Sequence, residues 1–186
     1  GIIDINLAED DRLIGVRKTS GDDEVMLGTG GGRAIRFHEE DVRPMGRTAA
    51  GVRGIKLRRD DAVVDLALVR EDATLLTVCE NGYGKRTEFG EYSLQKRGGL
   101  GLLDIKTTKR NGPVVAMREV TEDQELVLAT EQGMTVRIPV DSISCIGRNT
   151  QGVRLINTSG DDRVSGVVTL EPEEEGETED AEQDQE

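Results

Sequence analysis

Aromatic residues are scarce in this 186-residue sequence, which has two phenylalanines, two tyrosines and no tryptophan. A core built from large rings is therefore excluded, and the apolar residues are mainly Val, Ile and Leu. These residues suit β-strands, and the 23 glycines suit tight turns between strands. No segment keeps a 3.6-residue apolar period for three turns, which excludes a solenoid of helices. The composition predicts an all-β fold of short strands.

Cysteine is also rare, and long apolar runs are missing. Cys79 and Cys145 have no CxxC pattern and no neighbouring histidine, so we expect two reduced thiols and no metal site. No apolar run approaches the roughly 20 residues of a membrane-spanning helix. The first residues, GIIDINLAEDD, lack a basic segment followed by an apolar one, so they do not form a signal peptide. We therefore expect a soluble, cytoplasmic protein with no membrane partner.

Net positive charge is the third missing feature. The sequence carries a formal charge of −13, but residues 171–186 contribute ten acidic residues and no basic one. Without that segment, 24 basic residues face 27 acidic ones. Net charge therefore gives no support for nucleic-acid binding, and only local clustering of cations could create such a surface.

An internal repeat of about 50 residues dominates the sequence. Similar segments begin with a glycine at spacings of 50, 50 and 51 residues, and an isoleucine follows four residues later. Repeats of this length predict a stacked repeat architecture. The two columns are Gly1, Gly51, Gly101 and Gly152, and Ile5, Ile55, Ile105 and Ile156.

Each repeat predicts about four short strands. Apolar strands at 25–29, 75–79 and 126–130 each lead through a glycine turn into a second strand at 32–37, 82–87 and 133–138. The glycine-initiated strand and a further apolar strand follow. Four strands per repeat are typical of propeller blades. We divide the chain into half a blade at 1–22, blades at 23–70, 72–120 and 123–170, and an acidic tail at 171–186.

The loops before the glycine-initiated segments carry a family resemblance. They read MGRTAAG at 45–51, QKRGGLG at 95–101 and IGRNTQG at 146–152. Together with the strands that follow, they resemble the C-terminal domain of DNA gyrase A subunits and of their topoisomerase IV relatives. The resemblance implies a β-pinwheel, in which propeller-like blades exchange a strand and DNA binds around the rim. QKRGGLG is similar to the gyrase box, but Leu100 replaces its third basic residue and the family's box lies in the first blade. We interpret the segment as box-like.

Two columns of basic residues are the candidate DNA-binding sites, because a repeat fold turns one column into a row of charges. The competing interpretation is a solvated strand face paired with acidic residues. Gly98 and Gly99 favour the loop column, since glycine lets backbone N–H groups approach phosphate. No role is assigned to Arg33, Arg58, Arg59, Lys109 or Arg110. The candidates are Arg36, Lys85, Arg86 and Arg137 on the second strands, and Arg47, Lys96, Arg97 and Arg148 in the loops; Arg53, Lys56, Lys106 and Arg154 follow on the next strand.

Catalytic motifs are not recognisable. His38 has no nucleophile or metal cluster beside it, and GTGGGR at 28–33 lacks the Lys-Ser/Thr ending of a phosphate loop. The resemblance implies a non-catalytic part of an ATP-dependent isomerase, a type IIA topoisomerase, whose cleavage tyrosine, ATP and Mg²⁺ belong to other segments. It also implies double-stranded DNA, the rest of gyrase A and gyrase B in an A2B2 assembly as partners, in the bacterial nucleoid.

Three alternatives stay open from the sequence. A protein-interaction propeller without a nucleic-acid role would fit the near-neutral body, and topoisomerase IV is the nearest rival within the resemblance. The acidic tail, which we expect to be disordered, is either a solubilising end or a phosphate mimic that competes for the basic rim. The blades either close into a disc or remain an open arc.

Overall fold

The computed structural model describes residues 5–172, which form strands, turns and three short 3-10 helices. The predicted all-β class is confirmed. The expectation of a disordered tail falls almost wholly outside the described residues. Within them, no helix is long and apolar enough to cross a membrane. The strands are β1 (Glu24–Thr29), β2 (Arg33–His38), β3 (Val63–Leu68), β4 (Thr74–Cys79), β5 (Tyr83–Glu88), β6 (Leu102–Leu103), β7 (Val114–Val120), β8 (Glu125–Thr130), β9 (Thr135–Pro139), β10 (Val153–Arg154) and β11 (Val164–Leu170).

Three antiparallel hairpins, β1–β2, β4–β5 and β8–β9, form the centre of the three sheets. Each turn uses one glycine in the left-handed region, Gly32 and Gly82 at φ +78° and Gly133 at φ +88°, as the sequence predicted. A third strand, β3, β7 or β11, pairs with the other edge of the first hairpin strand. A 3-10 turn follows every hairpin, at Glu39–Asp41, Phe89–Glu91 and Val140–Ser142.

The fourth strand of a sheet comes from the next repeat. β6 belongs to the second repeat but pairs with β2, and β10 belongs to the third repeat but pairs with β5. The sheet orders are β3-β1-β2-β6, β10-β5-β4-β7 and β11-β8-β9. This is the strand exchange of a pinwheel. A sequence repeat therefore supplies three strands to its own sheet and one to its predecessor.

The repeated glycine is required by this exchange. At Gly101 and Gly152, both at positive φ, a Cβ atom would lie 2.4 Å from the Ala34 carbonyl oxygen and 2.7 Å from that of Gly84. At Gly51 the same atom would meet nothing within 4 Å. Residues 51–57 form no strand, and neither do residues 5–22, although both were predicted as strands. The reason is that the described chain offers them no preceding hairpin to pair with.

Adjacent sheets bury each other's faces. Met26 and Ala67 of the first sheet share a buried cluster with Leu75, Phe89 and Met117 of the second. A larger cluster joins the second and third sheets, and it includes Leu76, Val78, Ala116, Leu126 and Leu128. Burial of such side chains contributes about 1.5–3 kcal/mol each. Stacking between repeats thus supplies the core.

Candidate nucleic-acid interface

Two arginines of the second-strand column lie inside the fold. Arg36 pairs with Glu24 and donates from Nη1 to the carbonyl oxygens of Phe89 (2.9 Å) and Tyr92 (3.3 Å). Arg86 is 4% exposed and donates from Nε to the Ile143 carbonyl oxygen at 2.9 Å. Both guanidinium groups fasten a strand to the 3-10 turn of the following repeat. We therefore correct the prediction that Arg36 and Arg86 form part of a DNA-binding row.

Lys85 is buried completely. Its Nζ lies 3.0 Å from the Asp104 carboxylate and donates to the carbonyl oxygens of Asp104 (2.9 Å) and Gly147 (3.1 Å). The prediction that Lys85 contacts DNA is wrong for this conformation, because neither Lys85 nor Asp104 has an exposed side-chain surface. The pair instead joins β5 to the segment that completes the first sheet.

Arg137 differs from its column partners. Its side chain is 52% exposed, and it pairs with Glu125 on the neighbouring strand β8. The equivalent residues Arg36 and Arg86 are covered by the 3-10 turn of a following repeat, and the described chain has no fourth repeat to cover Arg137. Whether an arginine of this column is exposed thus depends on whether the 3-10 turn of a following repeat covers it.

The loop arginines bind backbone of the preceding repeat. Arg97 donates from Nη1 to the Arg53 carbonyl oxygen at 3.0 Å and from Nε to that of Asp41 at 2.7 Å. Arg148 donates to the carbonyl oxygen of Leu103 at 3.2 Å, one repeat later. The shared geometry makes these two side chains clamps between repeats, and both are half-buried.

Two other loop cations are exposed. Arg47 makes no hydrogen bond or ion pair with another residue of 5–172. Lys96 is 91% exposed and lies 2.7 Å from the Asp41 carboxylate, which lowers the pKa of that carboxyl group chiefly through this hydrogen bond. Exposed pairs of this kind are weak, so an anionic ligand could displace Asp41.

The glycine pair of the box-like loop is already engaged. The Gly98 N–H donates to the Gly54 carbonyl oxygen at 2.5 Å, and the Gly99 carbonyl oxygen accepts from the Lys56 N–H at 2.7 Å. These bonds attach the loop to residues 51–57. The Gly98 N–H is therefore not free to bind phosphate, contrary to the role we predicted for it.

A different row of cations is exposed. It lies on the segments that begin with the repeated glycine and on the turns after them, and all of its side chains are solvent-exposed. Within residues 5–172, one of its members has a carboxylate partner, the loose Arg59–Asp60 pair at 3.9 Å. We call these residues the rim row: Arg53, Lys56, Arg58, Arg59, Lys106, Lys109, Arg110 and Arg154.

The sheet register explains why the rim row is continuous. β3 begins opposite the end of β1, and β6 pairs with the start of β2, so these segments meet at the hairpin-turn end of each sheet. Turns 58–62 and 107–113 line one groove together with Gly30 and Gly31. Sequence analysis assigned no role to the dibasic turns in this row, although Arg59 and Lys109 lie one repeat apart.

Acidic residues gather at the opposite end of the sheets. Residues 20–23 precede β1 there, and the turns at 70–72 and 121–124 connect β3 to β4 and β7 to β8. One groove at this end is lined by Glu71, Asp72, Glu88, Glu122 and Asp123, with Arg70 as its basic residue. The rim row lies at the other end of the sheets, where Asp60 and Asp61 lie among its cations.

These features define a class: a strand-exchanging propeller-type repeat protein with a row of exposed cations at one end of its blades. Residues 1–20, 23–70, 73–121 and 124–171 match the family described as the DNA gyrase C-terminal domain, a beta-propeller. The chain belongs to this family.

The relatives agree with the assignment. The chain is 51% identical to the DNA gyrase A protein of Salmonella typhimurium over 167 residues (90% of this chain, 19% of the relative). It is 45% identical to that of Staphylococcus aureus over 185 residues (98% and 21%). The chain thus spans about a fifth of the length of the curated relatives it matches.

Solved structures show the same fold. The gyrase A C-terminal domain matches with a TM-score of 0.84 at 32% identity, covering 91% of this chain and 58% of that one. The C-terminal domain of DNA topoisomerase IV matches with a TM-score of 0.85 at 27% identity, covering 90% and 53%.

Proposed function

We propose that this chain is a DNA-wrapping module of gyrase A, which supports negative supercoiling without carrying the cleavage chemistry. The rim row is the observation that supports the proposal, because it provides exposed cations without strong partners along consecutive repeats. Family membership favours this function over a protein-interaction propeller and over topoisomerase IV. Cytoplasmic location and nucleoid association remain part of the proposal.

The rim row suits binding that does not depend on DNA sequence. Lysine and arginine side chains that neutralise phosphates release condensed counterions, which drives binding and makes it sensitive to salt. Equivalent positions such as Lys56 and Lys106 lie one repeat apart, so a duplex following the row would meet cations at regular intervals. Bending the duplex costs a few kcal/mol, which further phosphate contacts offset.

The partners and cofactors of the whole enzyme belong to the same proposal. Gyrase B and the rest of gyrase A, in an A2B2 assembly, would supply the cleavage tyrosine, ATP and Mg²⁺. Residues 5–172 contain no group of three or more His, Cys, Asp or Glu side chains placed to hold a metal ion. Arg47, Lys96 and Arg137 remain candidate DNA contacts beside the rim row.

A matched pair of variants tests the proposal. Duplex DNA is titrated at several salt concentrations with the wild-type chain, with Lys56→Ala/Lys106→Ala in the rim row, and with Arg43→Ala/Arg70→Ala at the opposite end. A plot of the logarithm of the binding constant against the logarithm of the salt concentration has a slope of about −0.9 per phosphate contact. The rim variant removes two cations, so it should make this slope less steep by about 1.8. The control variant should leave it within about half a contact of wild type.

Two results would count against the proposal. Folded wild-type chain that shows no salt-dependent affinity would favour the interaction propeller. Equal effects of the rim and control variants would show that DNA does not follow the rim row. The same titration without residues 171–186 separates the two tail hypotheses, because a competing tail predicts tighter binding after its removal and a solubilising end predicts no change.

A further inference from the structure

We propose that Arg110 and Arg154, stacked on Tyr83, form a preorganised clamp for one backbone phosphate of duplex DNA. The guanidinium carbons of Arg110 and Arg154 lie 4.6 Å and 4.5 Å from the centroid of the same Tyr83 ring. Arg154 also donates a hydrogen bond to the Tyr83 hydroxyl group. The proposal rests on the proposed function, since it names a contact within that interface.

The clamp concentrates positive charge without compensation. Neither arginine forms an ion pair with a carboxylate of residues 5–172. Both guanidinium groups approach the same ring, so two positive charges are held within 4.6 Å of its centroid. A phosphate that contacts both groups would neutralise this charge. The pKa of Tyr83 is lowered, first by a hydrogen bond from Arg110 and then by the charges of both arginines, which agrees with a strongly positive local potential.

Stacking also fixes the orientation of the donors. Tyr83 is 4% exposed, because the arginines cover a ring that is otherwise packed beside Cys79, Ile105 and Val114. A guanidinium group that stacks on a ring keeps its edge N–H groups free, and these match the geometry of phosphate oxygens. The rotational freedom of both side chains is already restricted before the ligand arrives, which favours affinity.

The backbone around the clamp is held as well. Asn81 donates from Nδ2 to the carbonyl oxygens of Lys109 and Arg110, both at 3.2 Å. Arg154 lies on β10, whose pairing with β5 places it directly opposite Tyr83. The clamp therefore combines a turn of the second repeat with a strand of the third, and it depends on strand exchange.

The arrangement occurs once among residues 5–172. The position of Tyr83 is occupied by Arg33 in the first repeat and by Met134 in the third. Arg33 donates to the Leu100 carbonyl oxygen at 2.9 Å, so it fills its site without a ring. Evenly spaced rim cations hold DNA at any register, whereas a single clamp would fix one phosphate and anchor the path of the duplex.

The test separates charge from preorganisation. Arg110→Lys/Arg154→Lys keeps both charges but loses the stacked planar donors, so we expect an affinity loss of about five-fold or more with little change in salt slope. Arg110→Ala/Arg154→Ala should lose that affinity and also flatten the slope by about 1.8. Arg43→Lys/Arg70→Lys, a matched double change at the end opposite the rim row, is the control and should have no effect.

The outcomes distinguish this proposal from the proposed function. If wild type binds with a salt-dependent affinity and the double lysine variant binds equally well, the clamp is refuted and the rim row stands. If wild type shows no salt-dependent binding, the proposed function itself fails. Thermal unfolding checks that each variant is folded, and the two lysine changes are at exposed positions, so the decisive comparison does not depend on a core substitution.

Discussion

Replacing Lys85 by valine removes the ammonium group from a fully buried ion pair. Asp104 would keep hydrogen bonds from the hydroxyl groups of Thr77 (2.8 Å) and Tyr92 (2.6 Å), but it would lose its counter-charge in a site without solvent. Removing one partner of a buried pair costs about 3–5 kcal/mol. We expect Lys85→Val to lower the free energy of unfolding by that amount.

The third repeat provides a matched control. Its residues at the positions of Lys85 and Asp104 are Val136 and Leu155, which pack against the large apolar cluster. Exchanging both members of a buried pair for apolar residues is much less costly than exchanging one. Lys85→Val/Asp104→Leu would leave the hydroxyl groups of Thr77 and Tyr92 without their acceptor, at a cost of about 1–3 kcal/mol each. The control variant therefore also carries Thr77→Val and Tyr92→Phe, and it should be more stable than Lys85→Val alone.

Urea denaturation followed by circular dichroism measures both variants. With a slope of about 2 kcal/mol per molar urea, the single variant should unfold about 1.5–2.5 M earlier than wild type. A decrease in the free energy of unfolding below about 1 kcal/mol would refute the reasoning, since removing one partner of a buried ion pair costs more than that. A control variant less stable than Lys85→Val would refute it equally.

The two cysteines and two tyrosines allow further tests. A thiol reagent at mildly alkaline pH should modify exposed Cys145 in the folded chain, slowly because burial and the nearby Glu88 raise its pKa. Cys79, whose pKa burial raises to about 12, should react only on unfolding, so two rapidly reacting thiols in the folded chain would contradict the structure. Phenolate absorbance should show Tyr83 titrating below its ordinary pKa of 10, and Arg110→Ala should raise that value. The pKa of Tyr92 is raised, mainly by burial and by Asp104, so its contribution to the stability of the fold is complete below pH 10 and is lost as the pH rises further. Tyr92→Phe should flatten this decline in stability, and an unchanged decline would argue against a buried hydroxyl group.

The repeat pattern predicted the strands and turns well, because equivalent residues in a column adopt equivalent backbone conformations. It did not predict burial, since one column holds Ile35, Lys85 and Val136. Ile35 and Val136 are apolar, whereas Lys85 is accommodated by the acidic Asp104. The equivalent position is Gly54 in the first repeat and Leu155 in the third. From the sequence, a lysine in such a column is interpreted as a surface cation, because the position of the carboxylate that pairs with it is known only from the structure.

The candidate site was predicted less well, because strand exchange moves residues between sheets. Arg36 lies between the buried Ile35 and Phe37, as a residue of an exposed strand face would, yet a turn from the next repeat covers it. The rim row had a usable signal, the dibasic turns at Arg58–Arg59 and Lys109–Arg110, which recur at nearly the repeat spacing. Periodicity of basic turns, rather than of basic strands, was the better guide.

Strand exchange has a consequence for variation in repeat number. Each internal sheet is completed by its successor, so removing or duplicating a whole 50-residue repeat leaves every remaining internal sheet with four strands. The described chain has one unfilled edge, on β9, and one glycine-initiated segment without a sheet, at 51–57. Gain or loss of internal repeats would not change either number. An architecture of this kind can lengthen or shorten its rim, and with it the stretch of bound ligand, without leaving a further hairpin strand unpaired as β9 is.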